Sequence, residues 1–185
     1  VNTKHPFVCQ IVGFKNTGKT TFLGGLIRYV QKSGLRVAVI KHDGHEFEMD
    51  HEGTDTYKHR QAGAEGVAIV SAGRTAILEE NSQSVTRLIR HFQAYDCVLL
   101  EGFKQEDYPK LVMVREQSDA QLTDKLTNVQ GIAVWKHQMD WAQGHYSDEM
   151  IQIFPAEANG PAGRWLLEQI QKQIEGMSRG ETSIG

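Results

Sequence analysis

The chain predicts an α/β fold, a mostly parallel sheet flanked by helices with an added hairpin. Three observations carry that expectation. Gly13-Phe14-Lys15-Asn16-Thr17-Gly18-Lys19-Thr20 matches the phosphate-loop pattern G-x-x-x-x-G-K-[ST] at every defined position. It stands between an apolar run, Pro6 to Val12, and a helical run, Thr21 to Ser33, the strand–loop–helix order in which the pattern carries meaning. A second apolar run, Val37-Ala38-Val39-Ile40, then closes a βαβ unit, which requires parallel strands and a right-handed crossover. Together these make a P-loop NTPase-like domain.

The loop's chemistry follows from its residue types. Glycines open a backbone path closed to residues with a Cβ, so successive N–H groups point into one concavity. The loop ends at a helix N-terminus, where unpaired N–H groups and the helix dipole favour an anion. Lys19 can reach the β- and γ-phosphates, and the Thr20 hydroxyl can ligate Mg2+. The expected nucleotide-binding residues are Gly13, Lys15, Asn16, Thr17, Gly18, Lys19, Thr20 and Thr21. Lys15 reads as a solvent-facing charge that adds positive potential.

The first helix carries Phe22, Leu23, Leu26, Ile27 and Val30 on one face, with Gly24-Gly25 marking a close approach and Gly34 a stop. After the second strand the composition turns polar. Lys41 to Arg60 holds His42, His45, His51 and His59 among six carboxylates, a likeness to functional loops at strand carboxyl ends. Thr54 to Ala62 predicts a short helix ended by Gly63. Val67–Val70 and Thr75–Leu78, joined by Ser71-Ala72-Gly73-Arg74, predict a hairpin. A helix with Val85, Leu88, Ile89 and Phe92 follows, capped by Asn81 or Ser82. Strands are expected at Asp96–Glu101, Lys110–Val114, Ile132–Trp135 and Ile151–Phe154, with Glu116–Asn128 irregular. Pro161 suits the first turn of a final helix bearing Trp165, Leu166, Ile170 and Ile174. The reading is one nucleotide-binding domain over residues 1–176 and a flexible C-terminal tail over 177–185.

Composition excludes several classes. With 185 residues, 39% hydrophobic, 23% charged and net charge −3, the chain lacks the basic excess of an electrostatic nucleic-acid binder. No apolar run approaches a membrane span, and a cytoplasmic setting is expected. Cys9 and Cys97 lie in apolar strands and read as small buried hydrophobes.

Glu101 ends an apolar strand after a P-loop, the placement of a carboxylate in the magnesium shell; being longer than Asp, it suits contact through a metal-bound water. Thr20 and Glu101 are therefore the metal candidates. Lys41 and His42, at the end of the second strand, suit a phosphate or pterin contact. Asp43 and Asp50 are the candidates for orienting a hydrolytic water, with nothing to choose between them. The usual guanine reader, Asn-Lys-x-Asp, is absent. Trp135-Lys136-His137-Gln138-Met139-Asp140 holds Lys136 and Asp140 at the wrong spacing, so adenine and guanine stay open.

Four stretches together resemble one family. They are Gly13 to Thr21, Val39-Ile40-Lys41-His42, the segment Gly53-Thr54-Asp55-Thr56-Tyr57-Lys58-His59-Arg60-Gln61-Ala62-Gly63-Ala64, and Leu99-Leu100-Glu101-Gly102-Phe103-Lys104. In that order and spacing the chain resembles the molybdopterin-guanine dinucleotide biosynthesis adaptor family, MobB, through about Val114. The resemblance implies a homodimeric protein that binds GTP and Mg2+, hydrolyses GTP slowly at most, and assists the molybdenum cofactor guanylyltransferase in joining GMP to molybdopterin. It further implies that Lys41, His42, Gly102, Phe103 and Lys104 help form a surface for pterin or partner. Two rival readings are a metal-delivery GTPase, from the His-rich loop, and a small-molecule kinase. No arginine-bearing lid of the kinase type stands out.

Overall fold

The computed structural model describes residues 5–147, 151–157 and 159–181, with 177–181 as helix backbone. In chain order the elements are β1 Phe7–Val12, α1 Lys19–Gln31, β2 Val37–Lys41, α2 Asp55–Gln61, β3 Gly66–Val70, β4 Thr75–Glu79, α3 Val85–His91, β5 Cys97–Glu101, β6 Lys110–Val114, β7 Val129–Val134, α4 Met139–His145, β8 Gln152–Pro155 and α5 Asn159–Glu181. Short 3-10 helices occupy Gln117–Lys125 and Lys136–Gln138. The chain groups into two compact units, Val1–His42 with Ile89–Gly185, and Asp43–Leu88.

The first unit is a six-stranded sheet in the order β2-β5-β1-β6-β7-β8. Every pairing is parallel. Both faces are covered, so β5 and β6 are buried along their whole length, as the unbroken apolar runs predict. Alternate residues sort to opposite sides. Cys9, Ile11, Leu99, Leu111 and Met113 pack with Phe22, Leu26, Trp165, Leu166 and Ile170 of α1 and α5. Val12, Val112, Val114, Ile132 and Val134 pack with Ala120, Leu122, Ala142 and Tyr146. Cys9 and Cys97 are buried free thiols on neighbouring strands but not opposite one another, since Cys97 faces Phe7 and Cys9 faces Leu99.

Gly25 has its close approach. A Cβ there would lie 1.9 Å from Asn159 Nδ2, so the glycine admits the start of α5. Helix α5 passes through Gly176 to Glu181, and residues 182–185 lie outside the described residues. No helix among the described residues is long and apolar enough to cross a membrane.

Three local expectations are corrected. Glu116–Asn128 is not irregular: Glu116 and Asp119 form a reciprocal capping box that starts the 3-10 helix Gln117–Lys125. Helix α3 begins later than expected, and Ser84 Oγ, not Asn81 or Ser82, accepts from Arg87 N at 3.3 Å. Helix α4 was not anticipated, because Ala142 is its one buried residue and leaves no apolar period to read.

The second unit holds α2 and an antiparallel β3–β4 hairpin, paired from Gly66↔Glu79 to Val70↔Thr75. Its turn closes with Ser71 N donating to Arg74 O at 2.8 Å. Thr54 caps α2, its hydroxyl accepting from Tyr57 N at 3.2 Å. Ile69, Val70 and Ile77 of the hairpin are more than half exposed, as are Phe47 and Met49.

Candidate functional site

At the carboxyl end of β1 the chain turns through two left-handed residues, Asn16 at φ 63° and Gly18 at φ 96°. That path gathers backbone N–H groups at the start of α1. Gly13 is required by contact: a Cβ there would fall 2.7 Å from Thr17 Oγ1 and 3.0 Å from Met113 Cβ. Thr17, buried, donates to Phe14 O at 2.9 Å and braces the loop. Lys19 Nζ folds over the loop to donate to Phe14 O at 2.6 Å. Burial holds the Lys19 ammonium below its usual pKa; the Glu101 carboxylate opposes that shift, and the Lys104 and Lys41 charges add to it. Lys15 is exposed.

The Thr20 hydroxyl donates to Glu101 Oε1 at 3.0 Å. The sheet register explains the meeting, since Glu101 ends β5 opposite Ile11 of β1 and Lys41 of β2. Glu101 is 7% exposed, so a carboxylate held this deeply needs its hydroxyl and cationic neighbours. Asn16, Gly18, Lys19, Thr20, Thr21, Glu101 and Arg115 line a pocket of ≈ 550 Å³.

Beyond Glu101 the chain reverses through Gly102 at φ 91° and Phe103 at φ 54°. Gln10, wholly buried in β1, holds that turn: its Nε2 donates to Gly102 O at 3.2 Å and Phe103 O at 2.6 Å, and its Oε1 accepts from Tyr108 N at 3.1 Å. The Phe103 ring meets His42 edge-on, centroids 5.1 Å apart. Lys104 Nζ lies 5.0 Å from the centre of the Phe14 ring. Lys41, His42, Gly102, Phe103 and Lys104 are thus neighbours on the β2–β5 side of the loop, a cationic and aromatic surface beside the carboxylate.

Two residues absent from the expected set buttress the other side. Trp135, following β7, donates from Nε1 to Thr17 O at 2.8 Å, and its ring covers Gly18. Arg115, following β6, donates to Asn16 O at 3.1 Å and lies 5.6 Å from the Trp135 ring centre. A tryptophan and an arginine ending two successive strands were the available signal; their meeting depends on strand order, which spacing does not reveal.

Asp50 serves the second unit. Its Oδ1 accepts from His51 N and from the Thr54 and Thr56 hydroxyls at 2.9, 2.9 and 3.0 Å. Burial pushes its carboxyl up, but these hydrogen bonds and Arg60 outweigh that and leave it below the ordinary value. Arg60 in turn forks onto Glu48 at 2.9 and 3.1 Å and reaches Glu80. Asp43 Oδ1 accepts from His45 N at 3.3 Å. Among the described residues no group of three His, Cys, Asp or Glu side chains is placed to hold a metal ion.

The arrangement fits a magnesium-bound triphosphate. A cradle that a Cβ would fill, a lysine at its mouth, and a hydroxyl paired with a buried carboxylate are the donor types that ligand needs. Comparison with known proteins places the chain in a family. The family model described as MobB, Molybdopterin guanine dinucleotide synthesis protein B, matches residues 8–136. A Bacillus subtilis (strain 168) protein named "Probable molybdopterin-guanine dinucleotide biosynthesis adapter protein" is 35% identical over 156 residues, 80% of this chain and 90% of that one. A Haemophilus influenzae molybdopterin-guanine dinucleotide biosynthesis adapter protein is 38% identical over 111 residues, 58% of this chain and 62% of its own. The crystal structure of Bacillus subtilis MobB superposes with a TM-score of 0.70 at 33% identity, over 88% of this chain and 96% of that one.

Proposed function

The chain belongs to the MobB family of molybdopterin guanine dinucleotide synthesis proteins, and from that premise we propose that it is a GTP-binding adaptor. In this reading it assists a molybdenum cofactor guanylyltransferase in attaching GMP to molybdopterin. The observation that carries it is the cluster of Lys19, Thr20 and Glu101 at the mouth of the loop. Lys19 would leave Phe14 O to hold phosphate oxygens, loop N–H groups from Asn16 to Thr21 would share that charge, and Thr20 with Glu101 would hold Mg2+. Magnesium, when bound, offsets charge on the triphosphate. Lys41, His42, Gly102, Phe103 and Lys104 form the surface for pterin or partner, because cation and aromatic ring together suit a phosphorylated heterocycle.

We read the protein as a holder of GTP, with slow hydrolysis at most. Among the described residues the carboxylate that lines the pocket, Glu101, is engaged with Thr20. A homodimer is part of the reading, supported by the apolar side chains that the second unit leaves exposed. Co-purification tests the function: the tagged chain should retain the guanylyltransferase, and more of it with GTP and Mg2+ than without. Equal failure to retain it under both conditions contradicts the adaptor role.

A further inference from the structure

The order of strands gives the bound nucleotide a direction. β5 lies on one side of β1, and β6, β7 and β8 lie on the other. The metal candidates are on the β5 side: Thr20 bonds Glu101, and Lys19 feels the charges of Glu101, Lys104 and Lys41. A triphosphate seated in the loop with its terminal end toward Glu101 must send its nucleoside the other way, over the carboxyl ends of β6, β7 and β8.

Those ends are already joined to the loop. Trp135 donates to Thr17 O, and Arg115 donates to Asn16 O and lies over the indole. The next residue, Lys136, donates its backbone N–H to both oxygens of Glu157, at 2.9 and 3.2 Å. Glu157 follows β8, which Ala156 N holds against Val134 O at 2.8 Å. Glu116 and Asp119, which follow β6, are engaged in their capping box, and Glu116 also accepts from Gln138 Nε2 at 3.2 Å and lies 3.5 Å from His137 Nε2. A bifurcated bond from one N–H leaves acceptor capacity on each oxygen of Glu157.

Guanine differs from adenine in offering two adjacent donors, N1–H and the 2-amino group, and a carboxylate accepts both at once. We propose that Glu157 is the guanine-specifying residue, oriented by Lys136 N–H, with Trp135 and Arg115 as the wall that carries the nucleoside from the loop to it. It does the work of the missing Asn-Lys-x-Asp reader with a carboxylate from the neighbouring strand. The assignment rests on the GTP reading above.

Glu157→Gln tests it. The amide keeps an oxygen for Lys136 N–H and for guanine N1–H, but turns a donor toward the 2-amino group. Xanthine, which has a carbonyl there, becomes the matching base. Titration of wild type and Glu157→Gln with GTP, XTP and ATP should show GTP weakened about tenfold or more and XTP strengthened, reversing their order. Inorganic tripolyphosphate should bind both proteins alike, reporting an intact loop. Gained affinity for XTP is a result that misfolding does not produce. An unchanged GTP to XTP ratio in the variant overturns the assignment while leaving the GTP reading in place. Wild type that binds tripolyphosphate but not GTP overturns both.

Discussion

Replacing Gly18 with Ala should destabilise the protein, and most of the cost should depend on Trp135. Gly18 sits at φ 96°, ψ 15° at the start of α1. An alanine in the left-handed region costs about 1–2 kcal/mol in backbone strain. Its methyl would also lie 2.6 Å from Trp135 Cζ2 and 3.3 Å from Cε2. The indole cannot retreat freely, because its Nε1 is bonded to Thr17 O and Arg115 lies against its ring. Overpacking of that kind costs about 1–3 kcal/mol. Gly18→Ala should therefore lose about 2–5 kcal/mol in all. In a Trp135→Ala background the three atoms nearest that methyl are gone, and the strain of about 1–2 kcal/mol should survive. Urea denaturation followed by circular dichroism, run on the four members of the cycle, measures the difference directly. A Gly18→Ala penalty equal in both backgrounds, within about 0.5 kcal/mol, would refute the claim that Trp135 buttresses the loop.

Lys19→Ala should abolish measurable GTP binding while leaving the thermal unfolding midpoint near wild type, since its ammonium makes one bond within the loop. Glu101→Gln should keep the Thr20 contact but remove the charge, so calorimetric GTP affinity should lose most of its dependence on Mg2+. Gln10→Leu leaves Gly102 O and Tyr108 N without their partner, while Phe103 O keeps its bond from Glu106 N at 2.9 Å. It should cost about 2 kcal/mol or more in denaturant unfolding, at about 1–3 kcal/mol per orphaned group. Alkali should destabilise the fold through Cys9. Burial pushes its thiol from 9.0 up to about 12, so above pH 9 the unfolded chain ionises while the folded one does not. The unfolded state then binds fewer protons, and stability falls between about pH 9 and 12 by about 1.4 kcal/mol per pH unit. Stability curves of Cys9→Ala should lack that share of the slope, and an unchanged slope would contradict it.

What the sequence made legible was local. The phosphate loop, its flanking strand and helix, the hairpin and Glu101 each announce themselves through a motif or a hydrophobic period, and the structure has each in place. Glu101 with Thr20 was readable because the P-loop pattern already implies a carboxylate at the end of a nearby strand. The remainder depends on which strands are neighbours. Trp135 and Arg115 stand 118 and 99 residues from their partners in the loop, and only the order β1-β6-β7 brings them there. Gln10 reads in the sequence as a polar residue interrupting an apolar strand; its purpose emerges once β5 lies beside β1 and the Gly102–Phe103 turn opens over it. Capping by Glu116 and Asp119 was a pattern present in the sequence, hidden by a polar composition that resembles an irregular loop.

In the proposed function the phosphate loop holds guanosine triphosphate with magnesium. Isothermal titration with GTP and with ATP, each in the presence and absence of Mg2+, addresses that claim most directly. GTP should bind more tightly than ATP by at least about tenfold, the value of one charged hydrogen-bond pair to the base, and removal of Mg2+ should weaken it. Equal affinity for the two nucleotides, or binding indifferent to Mg2+, would contradict the account.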